Sequence, residues 1–297
     1  MPTLYHCDVH EIDLPAGHPF PSGKYKFIRD LLTADGFKLK LAPFAPVDLI
    51  KLVHSEPYVD SFLSGCLPAH QMRRIGFPWS DGLVRRTLTS LGGTLSAAED
   101  ALSRGWGANL AGGTHHAFAD EGAGYCVFND LAVAIQWLRR DGRIRRAAVI
   151  DLDVHQGDGT AHIFAGDPDV LTVSLHCGSN FPLHKQQSKI DLELRDGTAD
   201  QEYLAGLDFV LPEVLGFRPD LIFYQSGVDG LKSDRLGHLA LTHAGLLERD
   251  RRVMHAAQSH SIPLVITLGG GYSLPLDVTA EAHANVYRTG LEVFGKT

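Results

Sequence analysis

Short apolar runs separated by helical stretches constrain the fold of this chain more than any other feature. Four such runs lie at residues 147–150, 170–175, 220–224 and 263–268. Each run ends in polar or glycine-rich sequence, which is typical of a buried strand that enters a loop at its carboxyl end. Helical patterns lie nearby at 131–140, 203–215, 244–258 and 278–294. This alternation predicts one α/β domain over residues 1–297, with a parallel β-sheet covered by helices on both faces.

The segment after the first of these runs carries the most concentrated polar chemistry. Asp151, Asp153 and His155 alternate along the chain, so they project to one side while the backbone stays extended. Buried carboxylates need a counter-charge, a metal or several hydrogen bonds, and a divalent cation would satisfy all three side chains. In the alternative interpretation, the aspartates cap the next helix and His155 is a hydrogen-bonded core residue. The additional presence of Asp158 after Gly157 favours the metal site.

Asp229 is the natural third ligand of such a site. It follows the 220–224 run, and the carboxyl ends of parallel strands meet at one edge of the sheet. Three protein ligands and an open position are typical of catalytic rather than structural zinc, although oxygen and nitrogen ligands also accept Fe(II), Co(II) or Mn(II). Asp229 alone could instead be a turn former before Gly230, and Asp234 is a second candidate ligand.

Two further loops contain candidate functional residues. A predicted strand at 108–111 leads through two glycines to His115 and His116, which can both reach one pocket only if they lie in a loop. A solvent-exposed histidine pair is the alternative. Tyr272 follows three glycines, a run that lacks both the dinucleotide fingerprint and the lysine of a phosphate loop. We therefore interpret Tyr272 as a phenol on a loop that can lie over the metal.

The amino-terminal part predicts scaffold rather than chemistry. Helices are expected at 24–34, near 47–52 and at 81–104, and the histidines before residue 79 are expected to be surface or capping groups. Gly92 and Gly93 interrupt the third helix and cost about 1 kcal/mol each relative to alanine, so another element should approach closely there. Asn129 or Asp130 is expected to cap the helix at 131–140.

Composition excludes several classes of protein. A formal charge of −8 argues against a nucleic-acid surface and is compatible with a basic substrate. The four cysteines are scattered without a Cys-x-x-Cys pair, which argues against a disulfide framework or a thiolate zinc site, and Cys177 is expected to be buried and inert. No signal peptide or apolar run of membrane-spanning length is present, so a soluble cytoplasmic protein without a membrane partner is expected.

Six motifs together resemble those of histone deacetylases, a group that extends to bacterial and acetylpolyamine deacetylases. They are GGTHHA at 112–117, GYCVFND at 124–130, DLDVHQGDG at 151–159, VSLH at 173–176, QSGVDGLKSDRLG at 225–237 and LGGGY at 268–272. The resemblance extends from HPFPSGKY at 18–25 to Tyr272. The opening motif and DRLGHLALT are similar to the class IV branch and its bacterial relatives.

The resemblance implies the arginase/deacetylase fold and a set of residue roles. It implies that Asp153, His155 and Asp229 bind Zn2+, with Fe2+ as the alternative metal. It implies that His116 is the general base and later the acid, that His115 assists electrostatically, and that Tyr272 donates a hydrogen bond to the substrate carbonyl. Asp151 would orient His115, and Asp158 would orient His116. Further matches concern a K+ site at Asp151, Asp153, His155, Ser174 and Leu175, and a substrate tunnel at Gly124, Tyr125 and Phe181. Tyr125 stands where the family often has phenylalanine.

The expected function is therefore metal-dependent hydrolysis of an amide. The substrate would be an acylated amine, foremost acyl-lysine in a peptide or protein, carrying an acetyl or longer acyl group. Three alternatives are a deacetylase of acetylpolyamines or other small molecules, a two-metal ureohydrolase of the arginase type, and a non-catalytic acyl-lysine reader. Metal stoichiometry and the hydrolysis of acylated peptides distinguish them.

Overall fold

The computed structural model describes residues 3–295 of the chain. Its strands are β1 (Thr3–His6), β2 (Lys38–Leu41), β3 (Trp106–Asn109), β4 (Ala147–Asp151), β5 (Val170–Cys177), β6 (Ile190–Leu194), β7 (Leu221–Gln225) and β8 (Leu264–Thr267). Its helices are α1 (Lys24–Ala34), α2 (Val47–Ile50), α3 (Glu56–Leu63), α4 (Ala69–Ile75), α5 (Asp81–Arg104), α6 (Asp130–Arg140), α7 (Asp158–Ile163), α8 (Asp200–Phe217), α9 (His243–Ser259) and α10 (Leu276–Phe294).

The strands form one eight-stranded sheet in the order β2-β1-β3-β8-β7-β4-β5-β6. Every neighbouring pair is parallel, which confirms the predicted fold class. All carboxyl ends therefore meet at one edge, where the loops after β3, β4, β5, β7 and β8 lie together. This arrangement places the polar segments of the sequence side by side.

Helices cover both faces of the sheet. Val149 of β4 packs into a core with residues of α5 and α6, whereas its neighbours Ala148 and Ile150 pack into a second core with residues of α1, α8, α9 and α10. Strands buried on both faces need apolar side chains at every position, which explains the continuous apolar runs in the sequence.

The glycine pair in α5 lies where two other segments approach the helix. A Cβ on Gly92 would lie 2.0 Å from the Pro43 carbonyl oxygen, and one on Gly93 would lie 2.6 Å from Oδ1 of Asn109. This confirms the close approach predicted from the sequence.

The amino-terminal part departs most from expectation. The predicted strand at 108–111 begins and ends two residues earlier, as β3 at Trp106–Asn109. Strands β1 and β2 and helices α3 and α4 of this part were not predicted, and strand β6 was not predicted later in the chain. Strands β2 and β6 have mixed burial, which leaves no continuous apolar run. The histidine prediction is wrong for His54, which is 1% exposed and accepts a hydrogen bond from the backbone N–H of Asn129. Within residues 3–295, no helix combines the length and apolar character needed to cross a membrane.

Candidate metal and catalytic site

Asp153, His155 and Asp229 meet at the carboxyl ends of β4 and β7. Each offers one ligand atom, and these atoms lie within 4.8 Å of one another. The Nδ1 atom of His155 lies 2.9 Å from Oδ1 of Asp153 and 3.2 Å from Oδ2 of Asp229. The other candidate ligand from the sequence, Asp234, is not part of this cluster. Its carboxylate instead accepts hydrogen bonds from backbone N–H groups of its own loop and of Tyr272.

Backbone N–H groups of neighbouring loops hold the two carboxylates. Oδ2 of Asp153 accepts from the N–H of Gly270 at 2.7 Å, and Oδ1 of Asp229 accepts from the N–H of Val154 at 2.9 Å. A Cβ on Gly270 would lie 1.9 Å from Oδ2 of Asp229, so only glycine lets this loop approach the cluster. Asp229 thus stabilises the loop that carries Asp153 and His155, and Asp153 stabilises the loop that carries Tyr272.

The charges of the cluster fit a divalent cation. Burial raises the pKa of Asp229 to about 7, and the nearby Asp153 carboxylate adds to this effect. Burial opposes the charge of His155, but hydrogen bonds to Asp153 and Asp229 overcome it and raise its pKa to about 10. The two carboxylates therefore hold a proton on His155. A dication would replace that proton, accept the imidazole lone pair and neutralise both carboxylates.

His115 and His116 lie in the loop after β3, which Asp130 of α6 holds in place. The Asp130 carboxylate accepts from the N–H groups of Gly113 at 3.0 Å and Thr114 at 2.7 Å. Asp130 therefore positions the loop, while the Asn129 side chain caps α6 by accepting from the N–H of Ala132 at 3.0 Å.

Each histidine is paired with one aspartate. Nδ1 of His115 lies 2.6 Å from Oδ2 of Asp151, and Nδ1 of His116 lies 2.7 Å from Oδ1 of Asp158. The carboxylate fixes the tautomer by accepting from Nδ1–H, which leaves the Nε2 lone pair of a neutral ring free. All four side chains are buried, so the pairs are shielded from water.

The two histidines have opposite charge preferences. Burial alone would lower the pKa of His115, but the charges of Asp151 and Asp153 raise it to about 9. Burial lowers the pKa of His116 to about 4, and repulsion by His115 adds to that effect. His115 therefore favours the protonated form, whereas His116 favours the neutral ring, which can accept a proton.

Tyr272 lies on the loop after β8, and its ring lines the same cavity. Its backbone N–H donates to Oδ2 of Asp234 at 2.6 Å, and Nζ of Lys24 lies 5.4 Å from the ring centroid. Burial raises the pKa of the phenol well above 10, as do the Asp229 and Asp153 carboxylates. The phenol therefore stays protonated and can act as a hydrogen-bond donor.

A cavity of about 110 Å³ joins these groups. Its lining includes His116, His155 and Tyr272 together with the predicted tunnel residues Gly124 and Tyr125. Phe181 is 43% exposed and contacts His116 edge-to-face, with ring centroids 4.9 Å apart. The cavity thus combines polar groups beside Asp153, His155 and Asp229 with aromatic rings in its walls.

The predicted K+ residues lie on neighbouring strands. Asp151 of β4 and Ser174 of β5 are register partners, and Leu175 is fully buried in the next position. The Ser174 hydroxyl lies 2.9 Å from Nδ1 of His176.

Two buried cations were not among the sequence candidates. Nζ of Lys24 donates to the carbonyl oxygens of Gly269 and Gly271 at 3.4 and 3.3 Å, beside Tyr272. The Arg249 guanidinium donates to the carbonyl oxygens of Gly227 and Leu152, at 2.5 and 3.3 Å, which stand just before the metal-ligand positions. Each cation occupies an apolar stripe of its helix: Lys24 with Ile28 and Leu32, and Arg249 with Leu246 and Val253. A charged residue within an apolar helix stripe is the sequence feature that would have indicated these two buried cations.

Comparison with known proteins identifies one family. The sequence model described as "Histone deacetylase domain" matches residues 18–289. An uncharacterized protein of Picosynechococcus is 42% identical over 299 residues, covering 99% of both chains. Histone deacetylase 2 of Arabidopsis thaliana is 34% identical over 301 residues, covering 96% of this chain and 77% of its own. A probable deacetylase of Methanothermobacter thermautotrophicus is 32% identical over 261 residues, covering 80% and 76%.

Proposed function

Because the chain belongs to the histone deacetylase family, whose members are hydrolytic and generally metal-dependent, we propose that it removes an acyl group from an acylated amine, with acyl-lysine as the expected substrate. The observation that carries this proposal is the convergence of Asp153, His155 and Asp229 with the His116–Asp158 pair around one cavity. Hydrolysis of an amide needs a Lewis acid, a base and an oxyanion donor, and each has a candidate here.

Asp153, His155 and Asp229 would hold the metal, with zinc as the expected ion and Fe2+ as the alternative. A divalent cation bound there would supply a Lewis acid that polarises a carbonyl and makes water a stronger acid. The three ligands follow two adjacent strands and line the cavity together with His116, Tyr125 and Tyr272, so substrate in the cavity would contact the cation.

His116 is the proposed general base. Asp158 fixes its tautomer through Nδ1, so Nε2 can accept a proton from the attacking water. The same nitrogen then donates that proton to the amine as the carbon–nitrogen bond breaks. Since His115 is the more basic ring and holds its proton through Asp151, it assists as a fixed positive charge.

Tyr272 is the proposed hydrogen-bond donor to the acyl oxygen. Its phenol stays protonated, lines the cavity and lies on a loop that Lys24 and Asp234 hold from two sides. A donor that is oriented before the reaction stabilises the charge that develops on the oxygen.

The substrate proposal depends on the aromatic walls of the entrance. Tyr125, which lines the cavity, and Phe181, which stands against His116, suit the methylene stem of a lysine, whose charge is removed by acylation. For the monovalent site, the pairing of Asp151 with Ser174 in adjacent strands supports K+ binding next to the metal ligands, together with Leu175.

An arginase-type centre is less consistent with these contacts. A second metal needs further ligands around the same point. Asp151 and Asp158, the additional carboxylates of this region, are each hydrogen-bonded to a histidine ring. We therefore favour a single catalytic metal.

A substrate panel tests the proposal. The zinc-reconstituted protein is assayed with peptides that carry acetyl-lysine and longer acyl-lysines and with acetylpolyamines, and a hydroxamate serves as the inhibitor control. We expect amine release from acyl-lysine peptides that is blocked by the hydroxamate. Faster turnover of acetylpolyamines would move the substrate to small molecules, whereas binding of peptide without hydrolysis would support a reader instead.

A further inference from the structure

A second cluster of metal-ligating side chains lies between the ends of β5 and β6 and the loop before α9. Cys177 is the last residue of β5, Asp196 lies in the turn after β6, and His238 precedes α9. A sulfur, a carboxylate oxygen and a ring nitrogen from these residues lie within 4.8 Å of one another. We propose that Cys177, Asp196 and His238 form a second binding site for a divalent cation of borderline softness such as zinc.

The spacing of the three donors fits tetrahedral zinc. Sγ of Cys177 lies 3.2 Å from Oδ1 of Asp196, and Nδ1 of His238 lies 3.7 Å from Oδ2 of Asp196. With bonds of about 2.3 Å to sulfur and about 2.0–2.1 Å to nitrogen or oxygen, adjacent ligand atoms of a tetrahedron lie about 3.3–3.5 Å apart. These two distances are close to tetrahedral spacing, and all three donors lie within 4.8 Å of one another, so a side-chain adjustment of about 1 Å would bring them onto one ion.

A fourth donor stands beside these three. The Ser179 hydroxyl lies 2.8 Å from Nδ1 of His238 and 3.7 Å from Sγ of Cys177. It can complete the coordination directly or hold a water that does so. Thiolate, imidazole and carboxylate are the ligand types that zinc accepts in proteins, and the thiolate distinguishes this cluster from Asp153, His155 and Asp229.

Charge balance and access also favour a cation. Binding releases the thiol proton to solvent, after which one thiolate and one carboxylate neutralise a dication. The side chains of Asp196 and His238 are 62% and 51% exposed, whereas Cys177 is buried behind them. An ion would therefore first meet the exposed carboxylate and imidazole, and the buried thiol lies directly behind them.

The site would connect three segments near the cavity entrance. The N–H of Gly197 donates to the carbonyl of His238 at 2.8 Å. The Asn180 side chain donates to the Leu236 carbonyl at 2.6 Å and accepts from the N–H of His238 at 3.0 Å. Asn180 immediately precedes Phe181, so a cation here would fix the segment that carries this aromatic wall.

The sequence argued against a thiolate site because it lacks a Cys-x-x-Cys pair. The structure brings the donors together from positions 177, 196 and 238, through the parallel pairing of β5 with β6 and the contact of both strand ends with the 234–238 loop. Ligands supplied by separate strand ends leave no local spacing pattern.

Cobalt(II) titration of the full-length protein tests the proposal. Cobalt bound to a thiolate gives a charge-transfer absorption that a site of carboxylates and imidazole cannot give. We expect this absorption to saturate once the second equivalent of cobalt is bound, because the Asp153, His155 and Asp229 cluster also takes up cobalt. The absorption should disappear in Cys177→Ser and persist in Cys66→Ser, which alters an exposed cysteine elsewhere. Absence of the band at excess cobalt, or its persistence in Cys177→Ser, would overturn the proposal.

A second pair of variants covers the case in which Cys177→Ser fails to fold. His238→Ala changes an exposed side chain and should weaken cobalt binding at the thiolate site at least tenfold, whereas the matched surface variant His255→Ala should leave it unchanged. Equal binding by both variants would contradict the assignment. The charge-transfer absorption reports only cobalt that is bound to the thiolate. This result is therefore independent of whether the protein hydrolyses acyl-lysine.

Discussion

Replacing Arg249 by methionine should loosen the backbone that positions Asp153 and Asp229, the proposed metal ligands. The guanidinium is buried and holds the carbonyls of Leu152 and Gly227, which lie one residue before Asp153 and two before Asp229. Its Nε and Nη2 atoms also donate to Oδ1 of Asp250, at 2.9 and 2.8 Å. One side chain thus neutralises a buried carboxylate and aligns both strand ends that supply ligands.

Two separate costs follow from this geometry. Removing one partner of a buried ion pair destabilises a protein by about 3–5 kcal/mol, because the other charge stays buried without compensation. Loss of a group that orients metal ligands lowers metal affinity by about 10–100-fold. We expect Arg249→Met to show both effects.

The double variant Arg249→Met with Asp250→Asn separates these effects. Asparagine removes the unpaired charge while still accepting the hydrogen bond from the hydroxyl of Tyr224. About half of the lost free energy of unfolding should return. Zinc affinity should stay low, because the carbonyls of Leu152 and Gly227 still lack the hydrogen bonds from Arg249. Urea unfolding measures the first quantity and titration against a zinc chelator the second.

Arg251→Met is the matched control on the same helix. Arg251 is 40% exposed and contacts Glu292 at 3.3 Å, so its loss should change stability by no more than about 0.5 kcal/mol. Wild-type zinc affinity in the double variant would refute the positioning role of Arg249. A double variant no more stable than Arg249→Met would refute the charge argument.

Four further predictions concern the cavity. His116→Ala should lower kcat/KM by about 10²–10⁴-fold with metal content unchanged, since it removes the proposed base; steady-state kinetics with metal analysis measures both. Tyr272→Phe should lower kcat by about 10²–10³-fold, and near-normal turnover would remove the phenol from the mechanism. Lys24→Met should lower kcat/KM about tenfold, because it releases the carbonyls of Gly269 and Gly271. Lys26→Met, which changes an exposed residue of α1, should leave kcat/KM unchanged. Chelation should lower Tm and added zinc should restore it, and the Tm of Asp229→Ala should change less on chelation than that of the wild type.

The fold was predictable where burial is continuous. Strands β4, β5, β7 and β8 are buried on both faces and leave apolar runs, and helix α5 leaves a long periodic pattern. Strand β2 has the sequence KLKL and is mostly exposed at the sheet edge, so it leaves no apolar run, and its alternation covers only four residues.

The candidate site was predictable where chemistry and strand periodicity coincide. Asp151, Asp153 and His155 were grouped because they alternate along one extended segment. The pairing of His116 with Asp158 came only from family resemblance, since no local rule relates residues 42 positions apart. The sequence analysis does not identify Lys24 and Arg249, because these charges lie inside apolar helix stripes and not in polar loops.

The hydrogen bonds between the candidate ligands and the backbone also hold strand ends together. Asp153 accepts from Gly270 N–H in the β8 loop, and Asp229 accepts from Val154 N–H in the β4 loop. Each candidate ligand is therefore also a structural link between two strand ends. A substitution of Asp153 or Asp229 would remove a hydrogen bond between loops together with a proposed metal ligand. We therefore infer that these two aspartates both shape the site and would bind its cation.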